Sequence, residues 1–164
     1  MAVYCEPRTD EEILDETGDA EHILLIGCPS CANISYCIHK ELPIAKFTPT
    51  GIKAVCMKDE IDRISRLFAE KGLLVNSWLP NLPTGMCMLD EKARRKLPNI
   101  CQEIDTIVTL CCETGKKNVE DIVKGKKVIG GMSAKGLLSA VTKRKMVKIF
   151  IDKDTISIKR FSFE

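Results

Sequence analysis

The sequence predicts a doubly wound α/β fold. This is a mostly parallel sheet of the Rossmann or flavodoxin-like kind, with a C-terminal antiparallel β-hairpin. Three observations carry the prediction. Strand-like and helix-like stretches alternate five times from residue 22 to residue 141, the order that builds helices onto a parallel sheet. The first of these strands, Ile23-Leu24-Leu25-Ile26, is aliphatic at consecutive positions, as a strand covered on both faces must be. The last two segments, 146–152 and 155–163, alternate apolar and polar residues on either side of Lys153-Asp154, the pattern of a hairpin.

The elements follow in order. Thr9-Asp10-Glu11-Glu12 fits a capping box and opens a short helix that Gly18 stops. Its only apolar positions are Ile13 and Leu14, so it should pack peripherally. Residues 1–21 read as an acidic N-terminal extension, and 22–164 as a single α/β domain. Residues 22–27 form the first strand, and 30–42 are helical until Pro43. Pro49-Thr50-Gly51 is a turn, and 52–57 read as a second strand with Cys56 inside it. Asp59 can cap the best helix, 59–71, whose stripe is Ile61, Ile64, Leu67 and Phe68 and whose stop is Gly72. Residues 73–79 form a third strand. The Pro- and Gly-rich segment 80–85 is a loop leading into Met86-Cys87-Met88. A helix over 89–97 ends at Pro98-Asn99. Residues 106–111 form a fourth strand, 118–123 a short helix and 127–131 a fifth strand, after which Ser133 can cap a helix through Leu137, Leu138 and Val141.

A chain of 164 residues, 45% apolar and 29% charged, fits one soluble globular domain. No apolar run approaches the roughly 18 residues that span a bilayer. The N-terminus is acidic and lacks an apolar core, so it does not read as a secretory signal, and a cytoplasmic location is expected. The net charge of +2 says little. The stretch 116–148 is rich in Lys and Arg, which suits a solvated face or the docking of an acidic partner or anionic cofactor. Aromatics are 5% of the chain and do not interleave with the basic residues, which argues against nucleic acid.

Nine cysteines are many for such a chain. In a reducing compartment, clustered cysteines point to metal or redox chemistry, and an odd count opposes complete pairing. Cys28-Pro29-Ser30-Cys31 follows the first strand directly. Carboxyl ends of parallel strands share one edge of the sheet, so Cys28 and Cys31 should meet Cys112 there, after the fourth strand, and Cys87, after the third. Cys37 can fold back over the site. Of the adjacent pair Cys111-Cys112, one thiol should face the site and the other the core, because strand side chains alternate. Four such thiols suit tetrahedral zinc or a [4Fe–4S] cluster. A redox dithiol at Cys28 and Cys31 is one competing reading, but it leaves the other thiols unexplained; a thiol- or metal-dependent transferase using a reactive thiol or an open metal position is another. Cys5, Cys56 and Cys101 lack partners at ligand spacing and read as small core hydrophobes. His22 and His39 read as packing or surface residues. The segment 130–136 can offer backbone amides to a phosphate at a helix start, although it is no Walker A motif. No Ser-His-Asp set is legible.

Two of these motifs resemble a known family, the C-terminal domain or separate small subunit associated with methylenetetrahydrofolate reductase in anaerobic bacteria. That family has a buried strand ending Gly-Cys-Gly-x-Cys-x-x-x-Cys; here the stretch is Leu25-Ile26-Gly27-Cys28-Pro29-Ser30-Cys31. It later has a strand ending Leu-Ala-Cys-Gly-x-Gly; here it is Leu110-Cys111-Cys112-Glu113-Thr114-Gly115. Cys112 takes the place of the family's thiol, and Cys87 matches a cysteine after the third strand. The resemblance covers about residues 23–141. It implies an iron–sulfur subunit that docks on a larger, flavin-containing barrel subunit and exchanges electrons with it. The chain departs from the pattern at Pro29 and Glu113, where the family has glycine, and at Cys37, which follows Cys31 after five residues instead of three. The terminal hairpin has no counterpart in the family pattern.

Overall fold

A computed structural model describes residues 1–162 of the chain. The fold is mixed α/β, built on two sheets instead of one. In chain order the elements are β1 (Ala2–Pro7), α1 (Asp10–Thr17), β2 (His22–Gly27), α2 (Cys31–Cys37), β3 (Ala45–Thr48), β4 (Gly51–Ala54), α3 (Cys56–Glu70), β5 (Leu74–Trp78), α4 (Glu91–Ile100), β6 (Thr106–Leu110), α5 (Glu113–Ile122), β7 (Lys127–Gly130), β8 (Met132–Lys145) and β9 (Lys148–Arg160). The parallel sheet has the order β5-β2-β6-β7, and the antiparallel sheet the order β1-β8-β9-β3-β4. The expectation of one mostly parallel sheet therefore holds in part, with four strands parallel and five in a separate antiparallel sheet.

The parallel sheet forms where consecutive aliphatics predicted it. Ile23 to Ile26 of β2 and Ile107, Val108 and Leu110 of β6 are all within 1% of complete burial. Ile61, Ile64 and Phe68 of α3 close over this sheet as an apolar stripe. Gly27 permits the approach: a Cβ there would sit 2.6 Å from both Ile61 Cδ1 and Met57 Cγ. The capping box at α1 is present, with Thr9 Oγ1 accepting from the Glu12 amide and Glu12 accepting from the Thr9 amide.

Three expectations are corrected. The strand over 52–57 stops at Ala54 and belongs to the antiparallel sheet, because the turn at residues 49–51 folds it back on β3. Cys56 therefore opens α3. The helix expected after Ser133 is instead β8. Its amides and carbonyls are taken by β1 on one side and β9 on the other, a case of pairing overriding local propensity. The hairpin turns at Met146-Val147, where Met146 adopts a φ of 52°, and not at Lys153-Asp154, which lies within β9 opposite a bulge between Ser139 and Val141. The predicted end of the last strand at Phe163 lies outside the described residues. Residues 2–7, read as part of an extension, supply edge strand β1, paired with β8 from Ala2↔Leu138 to Pro7↔Met132.

α2 is short and its cohesion is tertiary. Asn33 is 1% exposed. Its Nδ2 donates to the Ile44 carbonyl, and its Oδ1 accepts from the Met57 amide, both at 2.8 Å. Val55 precedes α3 and its side chain makes no capping bond. Asn33 thus caps α3 from a distant segment. Ser35 Oγ accepts from the Cys5 amide at 3.0 Å and donates to the Cys31 carbonyl at 2.9 Å, which ties α2 to β1.

Candidate metal centre

β2 and β6 bring the first and last of the predicted thiols side by side. Gly27 pairs with Leu110, and the Cys28 amide donates to the Leu110 carbonyl at 3.1 Å, one step beyond the ladder. Cys28 therefore leaves β2 at the point where Cys111-Cys112 leaves β6. Cys31 is the first residue of α2, and Cys112 is the residue that precedes α5. Cys87 arrives from the loop between β5 and α4. That loop is held by the Leu82 amide on the Ile52 carbonyl at 2.9 Å, by a bridge between Gly85 and Met88, and by Asn118 Nδ2 on the Met86 carbonyl at 2.7 Å. A Cβ built on Gly85 would lie 3.5 Å from Cys87 Sγ and 4.0 Å from Ser30 Cβ. The loop therefore passes between Cys87 and the 28–31 turn.

Several of these thiols also influence one another electrostatically. Burial pushes the Cys28 thiol up, the amides of Met86 and Ser30 pull it back, the Cys31 thiol pushes it up again, and the Ala32 amide opposes. Partial burial raises Cys87, and the neighbouring Cys112 and Cys31 thiols add to it. Cys28 is buried, Cys31 and Cys112 are half-buried, and Cys87 is exposed. Cys111 is the member of the pair that faces the core. It is 1% exposed, its Sγ lies 2.9 Å from a Cβ built on Gly115, and burial pushes its thiol well above the ordinary range.

Cys37 stands apart from these thiols. It forms a disulfide with Cys56, with the two Cα atoms 5.6 Å apart, at the junction of α2 and α3. Both sulfurs lie by the Pro43 carbonyl oxygen, at 3.8 and 3.5 Å. Cys101 is buried at the end of α4. His22 stands at the opposite, amino end of β2, and His39 is exposed after α2.

One thiol close to the site was not assigned to it. Cys5 of β1 is 2% exposed, and burial, followed by the Cys112 and Cys31 thiols, pushes it up to about 12. Its signal is the strand-like run Ala2-Val3-Tyr4-Cys5, but only the pairing of β1 with β8 brings that run to this edge. The Gly130-Gly131 turn offers no phosphate cradle of the kind expected, because no helix follows it. The Gly131 amide donates to the Thr109 carbonyl at 2.8 Å, and the Ala134 amide is held by the Glu113 carboxylate at 3.1 and 3.0 Å.

Among the described residues, no three His, Cys, Asp or Glu side chains already stand in ligating geometry. The donor chemistry nonetheless fits a soft metal or cluster, since thiols from three separate segments converge with no imidazole beside them. Also among the described residues, no helix is long and apolar enough to cross a membrane. Comparison of the chain with protein-family models, with curated proteins and with solved structures yields no match.

Proposed function

We propose that the protein is an iron–sulfur subunit, with a [4Fe–4S] cluster on Cys28, Cys31, Cys87 and Cys112, serving electron transfer within a larger redox enzyme. One observation supports this reading: four thiols from three separated segments lie near the carboxyl edge of the parallel sheet, near enough for Cys31 to act on Cys28 and for Cys112 and Cys31 to act on Cys87. Such a cluster supplies one-electron transfer at a potential set by hydrogen bonds to its sulfurs and by solvent exposure. Here burial raises the Cys28 thiol, and the Met86, Ser30 and Ala32 amides oppose that rise in part. Cys87 is the exposed ligand, so a redox partner would approach from its side. The resemblance of the 25–31 and 110–115 stretches to the small subunit associated with methylenetetrahydrofolate reductase makes a flavin-containing barrel protein the proposed partner. The oxidised Cys37 and the core-facing Cys111 are left out of the ligand set.

The same four thiols also satisfy a tetrahedral zinc site, and the experiment separates the two. The protein is purified and reconstituted without oxygen, and iron, sulfide, zinc and the visible absorption spectrum are measured. The same is done for the single serine variants of Cys28, Cys31, Cys37, Cys87 and Cys112. Iron and sulfide are expected in the wild type and in Cys37→Ser, with loss in the other four. Stoichiometric zinc without colour would select the scaffold role. Retention of metal in all five variants would overturn the site.

A further inference from the structure

A second feature lies at the same edge of the parallel sheet, outside the thiol set. β5 ends at Trp78, in register with Ile26 of β2. Beyond it open two cavities, of about 450 and 400 Å³, that share the wall formed by Lys53 and the segment from Trp78 to Asn81. Each has the volume of a small-molecule site, and the crevice beyond strand carboxyl ends is where open α/β sheets take ligands.

The two lobes differ in chemistry. The first is lined by Ala54, Ile61 and the half-buried Trp78, with Lys58 at its side. The second carries Lys92 and Lys96 from α4. Lys53 stands between them, and its Nζ donates to Asn81 Oδ1 at 2.6 Å, a neutral partner that leaves its charge uncompensated. Among the described residues, neither Lys92 nor Lys96 has a carboxylate within ion-pair distance, whereas Lys58 is paired with Asp62. Asp90 is the one carboxylate lining the second lobe, and it is turned to the Ala93 amide at 2.7 Å as the cap of α4. Three cations without a paired anion thus sit beside an aromatic and apolar floor.

We infer that this cleft binds a small ligand of the nucleotide class, with a planar heteroaromatic ring against Trp78 and phosphates on Lys53, Lys92 and Lys96. An aromatic face holds a ring by stacking, and lysines hold phosphate as point charges. The inference does not depend on the thiol reading, because none of these groups is a thiol.

Trp78 is the only tryptophan in the chain, so its fluorescence reports on the cleft alone. The full-length protein is titrated with ATP, tripolyphosphate and adenosine, both as prepared and after metal removal. Saturable quenching by ATP is expected in both preparations, with adenosine and tripolyphosphate each binding more weakly. The Lys92→Ala/Lys96→Ala variant alters two exposed helix positions that bear no packing. It should weaken ATP by about tenfold or more while leaving adenosine unchanged. Because Trp78→Phe removes the reporter, it is followed by calorimetry and should retain binding, whereas Trp78→Ala should lose most of it. Absence of saturable change with ATP, equal affinity for tripolyphosphate and ATP, or unchanged affinity in the double lysine variant would each overturn the inference. Survival of ATP binding in protein that fails to hold metal would leave it standing while the thiol reading falls.

Discussion

Replacing Asn33 with alanine tests how the thiol-bearing α2 is held. The side chain makes two bonds of 2.8 Å in a place only 1% exposed. Truncation leaves the Ile44 carbonyl and the Met57 amide buried without partners. Each orphaned group costs about 1–3 kcal/mol, so the loss should be about 2–6 kcal/mol. That is a large share of the roughly 5–15 kcal/mol by which domains are stable. With a urea m-value of about 2 kcal/mol/M, the unfolding midpoint should fall by about 1–3 M. The assay is equilibrium urea unfolding followed by circular dichroism, with wild type and variant in the same thiol redox state. A midpoint that does not move would mean that water or a shifted backbone satisfies both groups, and the account of Asn33 as a remote cap would fail.

Two further outcomes follow from the packing and the charges. Gly136 of β8 lies against β9: an added Cβ would run into the Lys159 carbonyl oxygen and stand 2.9 Å from Arg160 Cα. These are backbone atoms that cannot step aside, so Gly136→Ala should cost about 1–3 kcal/mol in thermal unfolding, and an unchanged melting temperature would contradict that packing. Asp105 accepts from the Glu21 amide at 2.9 Å and from the His22 amide at 3.1 Å, and these bonds, the Glu21 one foremost, hold its carboxyl below the ordinary range. A carboxyl that is more acidic folded than unfolded contributes stability that is fully present above the unfolded pKa of about 4 and is lost as pH falls through the lower folded value. Asp105→Asn should therefore flatten the acid limb of stability against pH below about 4; an acid limb that superimposes on the wild type would refute the assignment.

What the sequence made legible was what local pattern controls. The consecutive aliphatics of β2, the Thr9–Glu12 box and the stripe of α3 all appear as read. The placing of Cys28 and Cys112 at the carboxyl ends of β2 and β6 followed from one topological rule about strand ends. The failures occur where a distant partner decides. Ser133 to Val141 has a cap and helix-compatible residues, but β1 and β9 claim its backbone from both sides. Cys37 reads as a third ligand because it lies nearly two helical turns beyond Cys31, but α3 begins at Cys56, and the two sulfurs are joined beside the Pro43 carbonyl. Cys5 is not legible as part of this edge because nothing local says that residues 2–7 pair with β8, more than a hundred residues away.

The C-x2-C turn is therefore no free-standing metal knuckle, in which one short segment would carry its ligands. Cys28 is placed by the ladder to β6, and Cys31 by α2, which itself needs Ser35 on the Cys5 amide and Asn33 on Ile44 and Met57. Cys112 depends on the end of β6. Cys87 depends on a loop that α5 pins through Asn118. Each thiol thus rests on a different long-range contact, and on the proposed reading metal binding would add to stability only in so far as the folded state presents all four. It follows that Asn33→Ala, which touches no thiol, should also weaken metal retention after reconstitution. A peptide spanning only residues 22–40 should bind far more weakly than the full chain.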